Sequence, residues 1–211
     1  MATFTEKDLI ERLKKHYPQP WIDLKFENPY QLTVATILAA QSTDKKVNQI
    51  TPIFFKKFPT PQDVAKAHLE EIEEIIKSVN YYKRKAKLIK ECCQKVVQEF
   101  EGKIPDNMED ILKLPGIGRK TASVILVNAF NIPAIVVDTH VIRVAVSRLK
   151  ISNGKTPEKI EKDLAKFFSK ENWIYISKAL VLFGRYICTA KNPKCKECYL
   201  VDICPYEKKN L

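Results

Sequence analysis

The chain has 211 residues, 45% of them hydrophobic, enough to bury the core of one compact domain or two small ones. Its 36 Lys and Arg outnumber 25 Asp and Glu, for a formal net charge of +11, a balance that draws a protein toward polyanions, of which nucleic acid is the commonest. A membrane span is excluded, because the longest apolar stretch, residues 122–137, is broken by Asn128, Asn131 and Pro133.

The opening Met-Ala-Thr-Phe-Thr-Glu-Lys-Asp lacks the apolar segment of a secretory signal, so the expected setting is the cytosol. Thiols stay reduced there, and six cysteines point to metal ligands, redox chemistry or core packing before disulfides.

In chain order the periodicity is helical. Asn28-Pro29, Thr60-Pro61 and Thr156-Pro157 each set a capping side chain before a proline at a first helical position. Asp63, three residues beyond Thr60, makes a capping-box variant. Leu69, Ile72, Ile76 and Val79 recur at three- and four-residue steps, as do Ile89, Cys93, Val96 and Phe100, and then Ile160, Leu164 and Phe167. Cys92 and Cys93 on such a helix read as core. The β-branched run Ile135-Val136-Val137 is too short to define a sheet. The expected fold is all-α, with about ten helices and short loops.

Residues 114–121 read Leu-Pro-Gly-Ile-Gly-Arg-Lys-Thr between two helical stretches, together about residues 108–130. Gly116 and Gly118 permit a tight turn and leave their amides uncovered, and those amides with the next helix N-terminus can hold a phosphate. This is the pattern of a helix-hairpin-helix; a plain glycine-capped helix turn is the simpler alternative. Lys120 falls in the first turn of the second helix, beside Arg119. The helix dipole disfavours a cation there, and only a neutral amine attacks carbon. A phosphate-binding lysine would suit the same place. Eighteen residues on, Asp138 precedes Thr139, His140 and another helix. An N-cap is its simplest role; facing a sugar cation is the chemical one.

Cys188, Cys195, Cys198 and Cys204 follow the spacing C-x6-C-x2-C-x5-C. Four thiolates this close suit zinc or an iron–sulfur cluster. Only Cys195 and Cys198 make the close pair usual for zinc, which tilts the reading toward [4Fe–4S]. The loop between the first two cysteines would present Lys191 and Lys194 outward, as phosphate contacts or as solvated lysines.

Leu-Pro-Gly-Ile-Gly-Arg-Lys-Thr-Ala, then Val-Asp-Thr-His-Val, then the four-cysteine segment, with Leu-Ala-Ala-Gln-Ser-Thr-Asp at 38–44, resembles the endonuclease III family along the whole chain. The resemblance implies a bifunctional DNA glycosylase and abasic-site lyase acting on duplex DNA that carries oxidised pyrimidines or abasic sites, in the cytoplasm and on the nucleoid. It implies two helical domains flanking a DNA cleft: a barrel at residues 22–132, and residues 1–21 with 133–211, which hold a [4Fe–4S] cluster on the loop 188–204. It further implies that Lys120 and Asp138 approach from opposite domains and that Gln41 enters the space of an extruded nucleotide. Residues 79–82, Val-Asn-Tyr-Tyr, depart from the family's common Gly-Leu-Tyr wedge, with Asn80 and Tyr81 at the Gly and Leu positions. An adenine-mismatch glycosylase, a non-catalytic hairpin protein and a zinc-stabilised protein are the rival readings. Nothing demands more than a monomer.

Overall fold

The structure is a computed structural model that describes residues 4–211. Residues 1–3, which begin both the stretch read for a signal and the expected cluster domain, lie outside the described residues.

The helices in order are α1 (Glu6–His16), α2 (Pro29–Ala39), α3 (Asp44–Lys57), α4 (Pro61–Lys66), α5 (Leu69–Ile76), α6 (Tyr82–Glu99), α7 (Met108–Ile111), α8 (Arg119–Ala129), α9 (Thr139–Ile142), α10 (Pro157–Phe167) and α11 (Trp173–Tyr186). A π-helical turn, Arg143–Arg148, continues α9. Among the described residues there is no strand, and the fold is all-α. The run Ile135-Val136-Val137 is buried in irregular backbone. Among the described residues no helix is long and apolar enough to cross a membrane.

The helix starts follow from their caps. Asn28 accepts the Gln31 amide at 3.0 Å, and Thr156 accepts that of Lys159 at 3.3 Å. Thr60 and Asp63 exchange bonds in both directions, at 3.3 and 2.9 Å, the reciprocal box that satisfies two orphan amides. Each such cap is worth about 1 kcal/mol.

The chain forms two compact units, Ile22–Ile132 and a discontinuous one from Met1–Trp21 with Pro133–Leu211. In the first, the apolar face of α6 (Ala86, Ile89, Cys93, Val96) joins Leu32, Leu38, Phe54, Ile72 and Ile76 in one core. In the second, Leu9 and Leu13 of α1 pack with Val144, Leu164, Phe168 and Phe183. Full burial of such side chains stabilises by about 1.5–3 kcal/mol each, as an upper bound.

Candidate functional site

The hairpin lies between α7 and α8. After Ile111 the chain tightens through Leu114, whose carbonyl accepts the Ile117 amide at 3.2 Å. Gly116 takes φ +81, which favours glycine, while Gly118 is extended and is the N-cap of α8. Leu114 and Ile117 are buried and pin the turn from below, leaving Gly116, Gly118, Arg119 and Lys120 exposed. The α8 N-terminus has no side-chain cap and no acidic residue in its first turn, unlike α1 and α4. Its amide-rich, positive end is therefore left for an outside anion.

Asp138 caps α9, its Oδ1 accepting the Val141 amide at 2.8 Å. The capping role expected from its position is thus real, and it orients the carboxylate. The helix it starts is tied to α11. Arg143 donates to the Gly184 carbonyl at 2.6 Å and to the Cys188 carbonyl at 3.0 Å. A Cβ on Gly184 would come 2.8 Å from the His140 Cβ, so the two helices meet this closely only because residue 184 is glycine. The π-helical turn then closes with a bond from the Leu149 amide to the Val144 carbonyl at 2.8 Å.

Cys188, Cys195, Cys198 and Cys204 line one cavity, with Arg148, Lys194 and Tyr206. Among the described residues no His, Cys, Asp and Glu side chains group closely enough to hold a single ion. Burial pushes the Cys188 thiol up to about 11; Arg148 pulls it back, and Cys198 and Cys204 add to the rise. Arg148 is only 7% exposed, its guanidinium lies 3.8 Å from the centre of the Tyr206 ring, and its Nε has no hydrogen-bond partner. An orphaned cationic donor in the wall of a four-thiol cavity fits an anionic group inside. Lys191 and Lys194 are exposed on the loop before Cys195, where Thr189 Oγ1 donates to the Lys191 carbonyl at 2.8 Å and closes the turn.

Residues 34–170 match the HhH-GPD superfamily of base excision DNA repair proteins. Endonuclease III of Synechocystis sp. is 44% identical over 94% of this chain and 90% of the relative, and that of Escherichia coli K12 is 35% identical over 96% and 95%. The chain belongs to the endonuclease III family. Among solved structures, a trapped endonuclease III–DNA covalent intermediate superposes with a TM-score of 0.89 at 36% identity, covering 97% of each chain. A non-covalent endonuclease III–DNA complex gives 0.88 at 37% identity, covering 95% of this chain and 94% of that one.

Within this endonuclease III fold the structure groups the expected site residues unevenly. Gly116, Gly118, Arg119 and Lys120 share one hairpin, and the four cysteines share one cavity. Asp138 belongs to the other compact unit from Lys120. Gln41 and Tyr81 are exposed at the tips of two loops that meet: the Asn80 amide nitrogen donates to the Gln41 carbonyl at 2.7 Å. Sequence reasoning missed Lys85, Arg143 and Arg148. Lys85 lies four residues before Ile89, and Arg148 four after Val144, so helical spacing from buried residues was the available signal.

Proposed function

We propose that this base-excision-repair DNA glycosylase and abasic-site lyase removes oxidised pyrimidines from duplex DNA, with Lys120 as its nucleophile. The carrying observation is the exposed Lys120 amine in the first turn of α8, beside a hairpin whose backbone is open to phosphate. In this reading the amides of Gly116 and Gly118, with Arg119, Lys191 and Lys194, hold the backbone. Gln41 and Tyr81 enter the stack as the damaged nucleotide leaves it, at a cost of a few kcal/mol that is smaller for a damaged base.

The neutral Lys120 amine forms a bond to the sugar C1′ as the glycosidic bond breaks, and the base departs with that electron pair and a proton. Asp138 stabilises the positive charge on the sugar and assists proton transfer. The nitrogen lone pair then opens the sugar ring, breaking the C1′–O4′ bond as O4′ takes a proton. The imine so formed at C1′ acidifies C2′; loss of a C2′ proton expels the 3′ phosphate, and water then hydrolyses the imine. That a relative has been trapped as a covalent intermediate with DNA supports this route.

Cys188, Cys195, Cys198 and Cys204 would hold a [4Fe–4S] cluster through four thiolates, with the Arg148 guanidinium in the cavity wall meeting its negative charge. Its contribution is structural, fixing the loop that carries Lys191 and Lys194. A monomer acting on the nucleoid in the cytoplasm fits these roles. The adenine-mismatch and non-catalytic readings are not favoured: the matched relatives are endonucleases III, and the Leu38-Ala39-Ala40-Gln41 segment lacks the catalytic Glu of the mismatch enzymes.

The test is borohydride trapping on duplexes bearing thymine glycol, an abasic site or an A·G mismatch. Trapping on the first two, lost in Lys120→Gln, is the expected result. Full trapping by Lys120→Gln would remove Lys120 from the role. The colour of the purified protein and an iron assay decide the cluster against zinc.

A further inference from the structure

The least expected side chain in the first unit is Lys85. It sits one turn into α6 with 4% exposure, in the run Lys83-Arg84-Lys85 whose other members are exposed. A buried ammonium is costly unless its donors are met. Lys85 Nζ donates to the Leu38 carbonyl at 2.7 Å and to Ser42 Oγ at 3.0 Å. The Leu38 carbonyl belongs to the last turn of α2, the negative end of that helix, which offsets part of the cost. Burial still holds the amine below its ordinary value.

Leu38 and Ser42 bracket Gln41. Gln41 has φ +54 and Tyr81 has φ +57, left-handed conformations that cost an L-residue about 1–2 kcal/mol. Such strain persists only where the surroundings over-determine it. Here Lys85 holds the Gln41 turn from beneath, and Asn80 ties its carbonyl to the second loop at 2.7 Å. The Lys85 amide in turn donates to the Tyr81 carbonyl at 3.0 Å. One residue therefore contacts both loops, and Tyr81 stands 64% exposed above it.

We propose that Lys85 and Asn80 are positioning residues that lock the Gln41 and Tyr81 loops into a single pre-formed wedge for duplex DNA. The proposal rests on the reading that these loops enter the base stack. A wedge ordered before binding spends no affinity on ordering two loops at the moment of insertion. The lock matters only where a stack has to be opened, so it should be dispensable on a single strand.

The variants are Asn80→Asp, which keeps size but replaces the donor with an acceptor, and Lys85→Met, which keeps the stem without the ammonium. Each is tested for borohydride trapping on an abasic site in duplex and in single-stranded DNA. A second measurement follows 2-aminopurine fluorescence opposite a non-cleavable abasic analogue, which reports unstacking independently of chemistry. Trapping on duplex should slow about tenfold, less than the roughly hundredfold that a full 1 Å misplacement can cost, with a smaller fluorescence rise and unchanged trapping on the single strand. Equal losses on both substrates, or no loss on duplex, overturn the proposal. If Lys85→Met fails to fold, Asn80→Asp, at an exposed position, carries the test. If the unaltered protein traps neither substrate, the lysine-nucleophile reading fails, and the fluorescence measurement still decides the wedge.

Discussion

Arg143 Nε donates to the Cys188 carbonyl across 3.0 Å, joining the helix that Asp138 starts to the first cysteine of the C-terminal loop. The same guanidinium holds the Gly184 carbonyl. Arg143→Met leaves both acceptors without this donor, at a cost of about 1–3 kcal/mol each where no water replaces it. Arg143→Lys should recover only part of the loss, since an ammonium cannot reproduce the fork. Thermal denaturation measures the first effect. Faster loss of iron to a chelator shows that the cysteine loop depends on it.

Capping and chemistry separate at Asp138. Asparagine caps as well as aspartate, so Asp138→Asn should keep the melting temperature while losing most glycosylase turnover. Asp138→Ala should lose turnover and also about 1 kcal/mol of stability. Turnover retained by Asp138→Asn would make Asp138 a structural residue alone.

The two hairpin glycines should respond differently. Gly116 needs φ +81, so alanine there strains the backbone by about 1–2 kcal/mol even though its Cβ would meet Leu88 Cβ at an acceptable 3.4 Å. Gly118 has no such need, and nothing lies within 4 Å of its Cβ position. Gly118→Ala should therefore melt like the unaltered protein yet bind duplex DNA more weakly, as read by fluorescence anisotropy. Unchanged binding would mean that phosphates do not approach this backbone.

Acid should loosen α1. Burial raises the Glu6 carboxyl, but hydrogen bonds from the Ser169 hydroxyl, the Asn172 side chain and the Ser169 amide outweigh it and hold it below its ordinary 4.5. A lowered folded-state value gives stability that is complete above the unfolded value and lost as pH falls through the folded one. Urea midpoints should drop on acidification below 4.5, and less steeply in Glu6→Gln. Some slope should remain, because Lys159 and Ser152 hold Asp163 low in the same way.

What could be read in advance was local. The caps at Asn28, Thr60 and Thr156 depend on neighbours three residues away, and the apolar stripe of α6 on a fixed spacing. The glycine hairpin also carries its geometry in adjacent residues. Relationships between distant residues leave no such trace. Asn80 and Gln41 are 39 positions apart, and Lys85 hides among lysines that are solvated. The π-helical turn is equally silent, since Arg-Val-Ala-Val-Ser-Arg contains no breaker. Its Arg148 is instead set by packing on Tyr206. In the candidate site, the residue types were legible, but the contacts that hold them were not.

The discontinuity of the second unit has a bearing on synthesis. α1 leaves the ribosome roughly 150 residues before its companions Leu164, Phe168 and Phe183. At about 5–20 residues per second, that is a wait of about 8 to 30 seconds. Meanwhile all of Ile22–Ile132 has emerged and has its own core to close. The nascent chain must carry Leu9, Ile10 and Leu13 uncovered throughout, so α1 is where a chaperone would have the longest opportunity to bind.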